Sequence, residues 1–122
     1  MRRAAIVLAL VSVGIADGAT REDDTDLARR REAAREALKT SCGRCHDHVR
    51  PTAIPAALRI FDLQEQDWSA RTTDLQLDHI EGRLEGFRVP EPDRVVVRKF
   101  LDAERARRAA LAVPPAGDGP VP

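Results

Sequence analysis

The sequence predicts an all-α domain of three to five helices joined by loops. Apolar residues recur at three- and four-residue spacing in several stretches, and strong helix formers dominate residues 27–39. No stretch alternates apolar and polar residues as a half-buried strand does. Prolines separate the apolar-periodic stretches and, with glycine, dominate the C-terminal end. The 122-residue chain is long enough for one domain.

The N-terminal residues are typical of a secretory signal peptide. Arg2 and Arg3 precede an apolar run of 13 residues from Ala4 to Ala16, which is shorter than the ~20 residues that a membrane-spanning helix needs. Small residues around Ala16 offer a cleavage site, so residues 1–16 are the predicted signal; an uncleaved anchor or a buried helix is the alternative. We therefore expect a periplasmic or otherwise exported protein with no stable membrane insertion after cleavage.

The composition of the remaining chain argues against two classes of partner. Two of the 20 basic residues are Arg2 and Arg3, so cleavage leaves 18 basic and 20 acidic residues and a net charge of −2. That balance, without a long basic block, does not indicate binding to nucleic acid or anionic lipid. Three phenylalanines, one tryptophan and no tyrosine make a thin core. A large apolar group bound inside would supply the missing buried surface.

The first half of the domain contains two predicted helices. Residues 17–26 are polar and are interpreted as a mobile lead-in. The first helix is expected from Leu27 to about Lys39, with Ala34 and Leu38 on its buried face. Prolines at 51 and 55 then predict an extended loop followed by a short helix over 55–60.

The second half contains three more candidate helices. Two stretches have capping-box spacing, Asp62–Glu65 and Thr73–Gln76. The first predicts a short helix that carries Trp68. The second predicts a helix that runs to about Leu84 and that Gly86 can end. The last helix is expected to begin at Pro92. The core-facing residues of these last two helices are Leu77, Ile80, Leu84, Phe87, Val96, Val97, Phe100, Leu101 and Ala103. Residues 27–111 form the expected domain, and 112–122 are a predicted disordered tail rich in proline and glycine.

The only two cysteines lie in the sequence Cys42-Gly43-Arg44-Cys45-His46. This is the C-x-x-C-H signature for covalent attachment of c-type haem. Each thiol adds to one porphyrin vinyl group, and the spacing sets the sulfurs at the separation of two neighbouring vinyls. His46 then points its imidazole at the iron as the proximal ligand. We expect Gly43 to ease a tight turn and Arg44 to face solvent.

Three other interpretations of these residues are weaker. A thioredoxin-like redox pair needs a strand–helix context that the sequence does not predict. A structural disulfide closing so short a loop would constrain the unfolded chain little. A zinc site uses four ligands from two separated pairs, whereas Cys42, Cys45, His46 and His48 lie within seven residues. An accidental motif in a plain helical scaffold is a further alternative.

From about Leu27 to Glu104 the chain resembles the small monohaem class I cytochromes c of bacteria. The five-residue motif is the specific part of the likeness. The resemblance implies a cytochrome c-like fold, helices wrapped around one haem, in which Ala34 lets the first and last helices cross near Val97 or Phe100. It also implies that a proline carbonyl accepts a hydrogen bond from the proximal histidine, and Pro55 is the candidate.

The sequence departs from this family at the second iron ligand. Val89 stands before Pro90 where the family has methionine, and the only methionine is Met1. His79 is a possible distal ligand, although it lies outside the apolar face of its helix. His48 is too close to His46 to reach the opposite face of the iron. The remaining possibility is an open sixth position walled by Val89, Phe87 or Leu84.

The expected cofactor is therefore one covalent haem c with its iron, and two functions stay open. The first is single-electron transfer with an unidentified redox partner protein. The second is binding or sensing of a small ligand such as CO or NO at an open iron. No paired acids, nucleophile or phosphate-binding loop indicates an independent enzyme.

Overall fold

The computed structural model describes residues 17–113 and forms an all-α domain of four helices. These are α1 (Asp17–His46), α2 (Pro55–Ile60), α3 (Asp74–Gly86) and α4 (Glu91–Ala112). No strand is present within the described range, so the predicted fold class is confirmed at this level. In that range, no helix is both long and apolar enough to cross a membrane. The predicted signal segment and nearly all of the predicted tail lie outside the described residues.

Helix α1 is longer at both ends than the sequence predicts. It begins at Asp17, so the expected lead-in over 17–26 is helical, and it continues through the cysteine motif to His46. Within this helix, Arg30 donates a hydrogen bond to Asp26, one turn earlier, at 2.8 Å. The stretch from 27 to 46 contains one glycine and no proline, so nothing stops the helix at Lys39.

Helices α1 and α4 pack against each other and form the main helix pair of the domain. Ala34 and Leu38 on α1, and Val97 and Phe100 on α4, are completely buried in one core cluster. The small side chain at position 34 suits a close crossing of the two helices. The predicted burial of these four residues is confirmed.

The segment between α2 and α3 is made of turns, so the predicted short helix over Asp62–Trp68 is wrong. A capping box needs the Asp62 carboxylate to accept from the backbone N–H of Glu65 and the Glu65 carboxylate to accept from the backbone N–H of Asp62. Instead Asp62 accepts a hydrogen bond from the backbone N–H of Gln64 at 3.0 Å, as in an Asx-turn, and Glu65 pairs with Arg71 at 3.0 Å.

The same segment carries the aromatic core. The Trp68 ring is fully buried and lies between Phe61 and Phe100, with ring centroids 5.4 and 5.3 Å away. Its indole N–H donates to the Arg31 carbonyl at 3.1 Å, which ties this segment to α1. Three of the four aromatic side chains thus form one row from α4 towards the end of α1.

Helix α3 begins as predicted and ends differently. Thr73 and Gln76 form the expected capping box. At the other end Arg88 adopts a left-handed backbone with φ 52°, and the N–H groups of Arg88 and Val89 donate to the carbonyls of Glu85 and Leu84. This pattern is a Schellman motif, in which Arg88 and not Gly86 adopts the left-handed conformation after the helix, and Gly86 is the last helical residue.

Candidate functional site

The cysteine motif forms the last turn of α1 rather than a separate tight turn. On a helix, residues three and four apart lie on one face, so Cys42, Cys45 and His46 are neighbours. Both thiols are free and partly buried. Gly43 is buried, and a Cβ there would lie 3.1 Å from the guanidinium carbon of Arg50. A glycine at this position therefore lets the following loop approach α1 closely. Arg44 is exposed, as expected.

The imidazole of His46 is held at its Nδ1 atom by a backbone carbonyl. Its Nδ1 atom lies 3.0 Å from the carbonyl oxygen of Phe61, and the two rings stack with centroids 3.7 Å apart. Because a carbonyl only accepts, Nδ1 carries the proton. Burial lowers the pKa of His46, which favours the neutral ring with a lone pair on Nε2. That is the form in which histidine binds a metal.

The structure places Phe61, and not Pro55, at His46 Nδ1. Pro55 is exposed and starts α2. Helix α2 ends at Ile60, and the extended backbone at Phe61 leaves its carbonyl free of the helix. The segments before and after α2 are each fixed to the motif by one backbone hydrogen bond. The N–H of Ile54 donates to the Cys45 carbonyl at 3.1 Å, and the N–H of Leu63 donates to the His46 carbonyl at 2.7 Å.

The motif opens onto a cleft of about 430 Å³ between the end of α1, helix α2 and helix α3. This volume lies within the range typical of cofactor sites. The apolar side chains that line it are Ile54, Ala57, Phe61, Ile80, Leu84 and Phe87. Phe87 is 59 % exposed, so the prediction that it faces the core is wrong. The Schellman motif turns Val89 inwards instead, and Phe87 stands at the edge of the cleft.

The two remaining histidines lie away from this cleft. His79 is exposed on α3, whereas its neighbour Ile80 is buried and lines the cleft. His48 is exposed in the loop after the motif, and its Nδ1 lies 2.6 Å from a carboxylate oxygen of Asp62. Of the side chains opposite His46, Leu84 and Phe87 match the expected apolar wall, while Val89 is buried in the core cluster.

Two arginines line the cleft, and sequence reasoning missed the importance of one of them. Arg44 lies in the motif and Arg83 on α3. Burial raises the pKa of the Cys42 thiol, and the positive charge of Arg83 opposes that rise. The same charge acts with burial to lower the pKa of His46. The charge of Arg83 therefore influences both Cys42 and His46. Its three-residue spacing from Ile80 was the available signal in the sequence.

The weaker interpretations of the motif gain no geometric support. Among residues 17–113, no group of three or more His, Cys, Asp or Glu side chains converges as metal ligands would. From residue 17 onwards no strand precedes the cysteine pair, as one does in a thioredoxin-like site. A larger groove of about 610 Å³ runs between the first turns of α1 and the last turns of α4, but neither cysteine nor histidine lines it.

Comparisons of the chain with protein-family models, with curated proteins and with solved structures found no match.

Proposed function

We propose that this protein is an exported c-type cytochrome that holds one haem covalently and carries single electrons. The observation that carries the proposal is the opening of both thiols and the His46 imidazole onto one apolar cleft. Cys42 and Cys45 would hold the haem, and His46 would be the axial ligand of its iron. The bound iron supplies reversible one-electron chemistry.

The residues present fit such a group. Both thiols are free, and they lie three residues apart on one helix face. Each S–H would add across one vinyl double bond, with sulfur bonding to one carbon and hydrogen to the other, so attachment needs no oxidant. The apolar lining suits a flat macrocycle. The same group would supply the buried surface that a chain with four aromatic residues lacks.

The surroundings of His46 support its role as axial ligand. The Phe61 carbonyl fixes the tautomer that leaves Nε2 unprotonated, and a hydrogen bond to the other ring nitrogen raises the basicity of a metal-binding histidine. The stacked Phe61 ring restrains rotation of the imidazole. Both groups come from one residue, which is itself fixed by packing against Trp68.

A second candidate function is binding of a small ligand such as CO or NO at an open sixth position. The observation that favours it is the apolar character of the cleft wall on α3, made by Ile80, Leu84 and Phe87. His79, the candidate distal ligand, is exposed and does not line the cleft. An iron with His46 as its only strong protein ligand would be high-spin and open to such molecules.

Absorption spectra of the purified exported protein test both functions. We expect a covalent haem spectrum in the oxidised and reduced states. A low-spin spectrum that CO does not change would support electron transfer with two strong axial ligands. A high-spin spectrum that shifts with CO would support the second function. Protein that is folded and colourless would contradict both.

The proposal includes export and a protein partner. The signal-like segment 1–16 supports export, and a periplasmic cytochrome would exchange electrons with a redox partner protein. The overall architecture would then be that of a small monohaem class I cytochrome c without the methionine ligand.

A further inference from the structure

The charges of α3 are divided between two faces of the helix. The acidic residues Asp78, Glu81 and Glu85 lie towards α4, where Arg105 donates to Asp78 and Glu81 at 2.8 Å each and Arg98 lies 3.5 Å from Glu85. Arg105 and Arg98 thereby satisfy all three carboxylates. The fourth acid of the helix, Asp74, pairs with Arg108 of α4 at 2.9 Å, so no acidic residue of α3 is left for the opposite face.

Arg83 lies on that opposite face without a carboxylate partner. Its helical neighbours at positions 79, 80, 86 and 87 are histidine, isoleucine, glycine and phenylalanine, so no acid stands at the spacing that makes helical ion pairs. Its guanidinium makes no hydrogen bond or ion pair with any residue from 17 to 113. Instead it lines the cleft together with Ile80, Leu84 and Phe87.

The cleft as a whole is basic and apolar. Its lining contains Arg83 and Arg44, and no aspartate or glutamate is among the described residues that form it. Most other arginines of the described range are paired with acids, as Arg35, Arg71, Arg94 and Arg108 are. An apolar cleft with unpaired guanidinium groups at its edge matches a ligand that is apolar in its body and anionic at one end.

We infer that Arg83 binds a carboxylate of the group held in the cleft. The inference rests on the proposed function, because haem carries two propionate carboxylates on the apolar ring that the cleft would hold. Arg83 is a positioning residue in this scheme. A planar guanidinium can grip a carboxylate through two parallel hydrogen bonds, and its fixed charge disfavours the ferric state of a nearby iron.

The test compares three holo variants with the wild-type protein: Arg83→Gln, Arg83→Lys and Arg59→Gln. Arg59 is the matched control, because it is exposed on α2, makes no ion pair with a described residue and does not line the cleft. One readout is the propionate bending band in the resonance Raman spectrum, which reports hydrogen bonding to the carboxylate. The other is the equilibrium of electron exchange with a redox mediator.

We expect Arg83→Gln to shift the propionate band and to move the exchange equilibrium about threefold to tenfold towards the ferric protein; a tenfold change corresponds to 59 mV for one electron. Arg83→Lys should have a reduction potential close to that of the wild type but a shifted propionate band. Lysine keeps the positive charge but cannot form two parallel hydrogen bonds with a carboxylate. Arg59→Gln should change neither.

One result would overturn the inference while leaving the proposed function intact: an unchanged propionate band in a normally loaded Arg83→Gln variant. If the potential of that variant were lower, the charge of Arg83 would act at a distance without binding the carboxylate. Wild-type protein without haem would instead overturn the proposed function itself.

Discussion

The imidazole of His46 and the residue Phe61 are joined twice, by an Nδ1-to-carbonyl contact of 3.0 Å and by ring stacking at 3.7 Å with an interplanar angle of 5°. One residue therefore sets both the proton position and the rotation of the ring that we propose as iron ligand. Because Phe61 also contacts Trp68, which contacts Phe100, the orientation of the imidazole depends on the aromatic core.

Replacing Phe61 by leucine should affect both stability and His46. The variant keeps the backbone carbonyl but loses two aromatic contacts, so we expect the free energy of unfolding to fall by about 1–3 kcal/mol. We also expect an altered ferric EPR spectrum, because the imidazole can rotate. Phe100→Leu is the matched control, since Phe100 contacts Trp68 but lies at the far end of the row. It should lose similar stability in urea unfolding and keep the wild-type EPR spectrum; equal spectral changes in the two variants would contradict this account.

Glu104 should make the stability of the domain sensitive to acid. Its side chain is 1 % exposed and accepts hydrogen bonds from Arg107 and Arg108 at 2.7 and 3.0 Å. Burial raises the pKa of this carboxyl, but the two arginines outweigh burial and hold the pKa below its usual value. The resulting stabilisation is fully present above the unfolded pKa of about 4.3 and is lost as the pH falls through the folded pKa.

The corresponding substitution is Glu104→Gln. Because the charge-assisted hydrogen bonds to two arginines are lost, we expect about 1–3 kcal/mol of destabilisation at pH 7. The difference from wild type should shrink as the pH falls below about 4. Urea unfolding at several pH values measures this. The control, Glu65→Gln, removes an exposed pair with Arg71 and should cost no more than about 1 kcal/mol. A Glu104→Gln deficit that is the same at every pH would contradict the prediction.

The end of α3 yields two stabilising substitutions. Arg88 has a left-handed backbone, which disfavours side chains with a Cβ atom, so Arg88→Gly should raise the free energy of unfolding by about 1 kcal/mol. Gly86 is the last residue of α3 and keeps a helical backbone, and a Cβ there meets nothing within 4 Å. Gly86→Ala should therefore add about 0.5–1 kcal/mol. If Gly86 ended the helix in a left-handed conformation, the alanine variant would instead lose stability in the same unfolding measurement.

His79 should be dispensable for the iron. The side chain is exposed, whereas the neighbouring Ile80 faces the cleft. We expect His79→Ala to leave the oxidised, reduced and CO-treated spectra of the holo protein unchanged. His46→Ala serves as the opposing control, because it should lose the axial ligand and change all three spectra. A high-spin shift on removal of His79 would show that the histidine reaches the iron and would remove the support for an open site.

Local patterns in the sequence predicted the elements whose hydrogen bonds are local. The capping box of Thr73 and Gln76 forms because both partners lie within one turn. The pattern at Asp62 fails because tertiary partners compete: Asp62 contacts His48, and Glu65 contacts Arg71. The sequence does not show which residue of another segment will pair with such a carboxylate.

The candidate site could be predicted in part for the same reason. Cys42, Cys45 and His46 are recognisable because their spacing alone carries the chemistry. The carbonyl partner of His46 depends on where α2 ends, and the exposure of Phe87 depends on the Schellman motif at Arg88. The isolation of Arg83 is visible only once Asp78 and Glu81 are seen to face Arg105 on α4.

The most direct test of the central claim is the mass and absorption spectrum of the exported, purified protein, measured for the wild type and for a Cys42→Ser/Cys45→Ser variant. We expect the wild-type mass to exceed that of the processed polypeptide by one haem, which denaturation does not remove, and the variant to lack this covalent addition. A colourless, folded wild-type protein that the double substitution leaves unchanged would contradict the account.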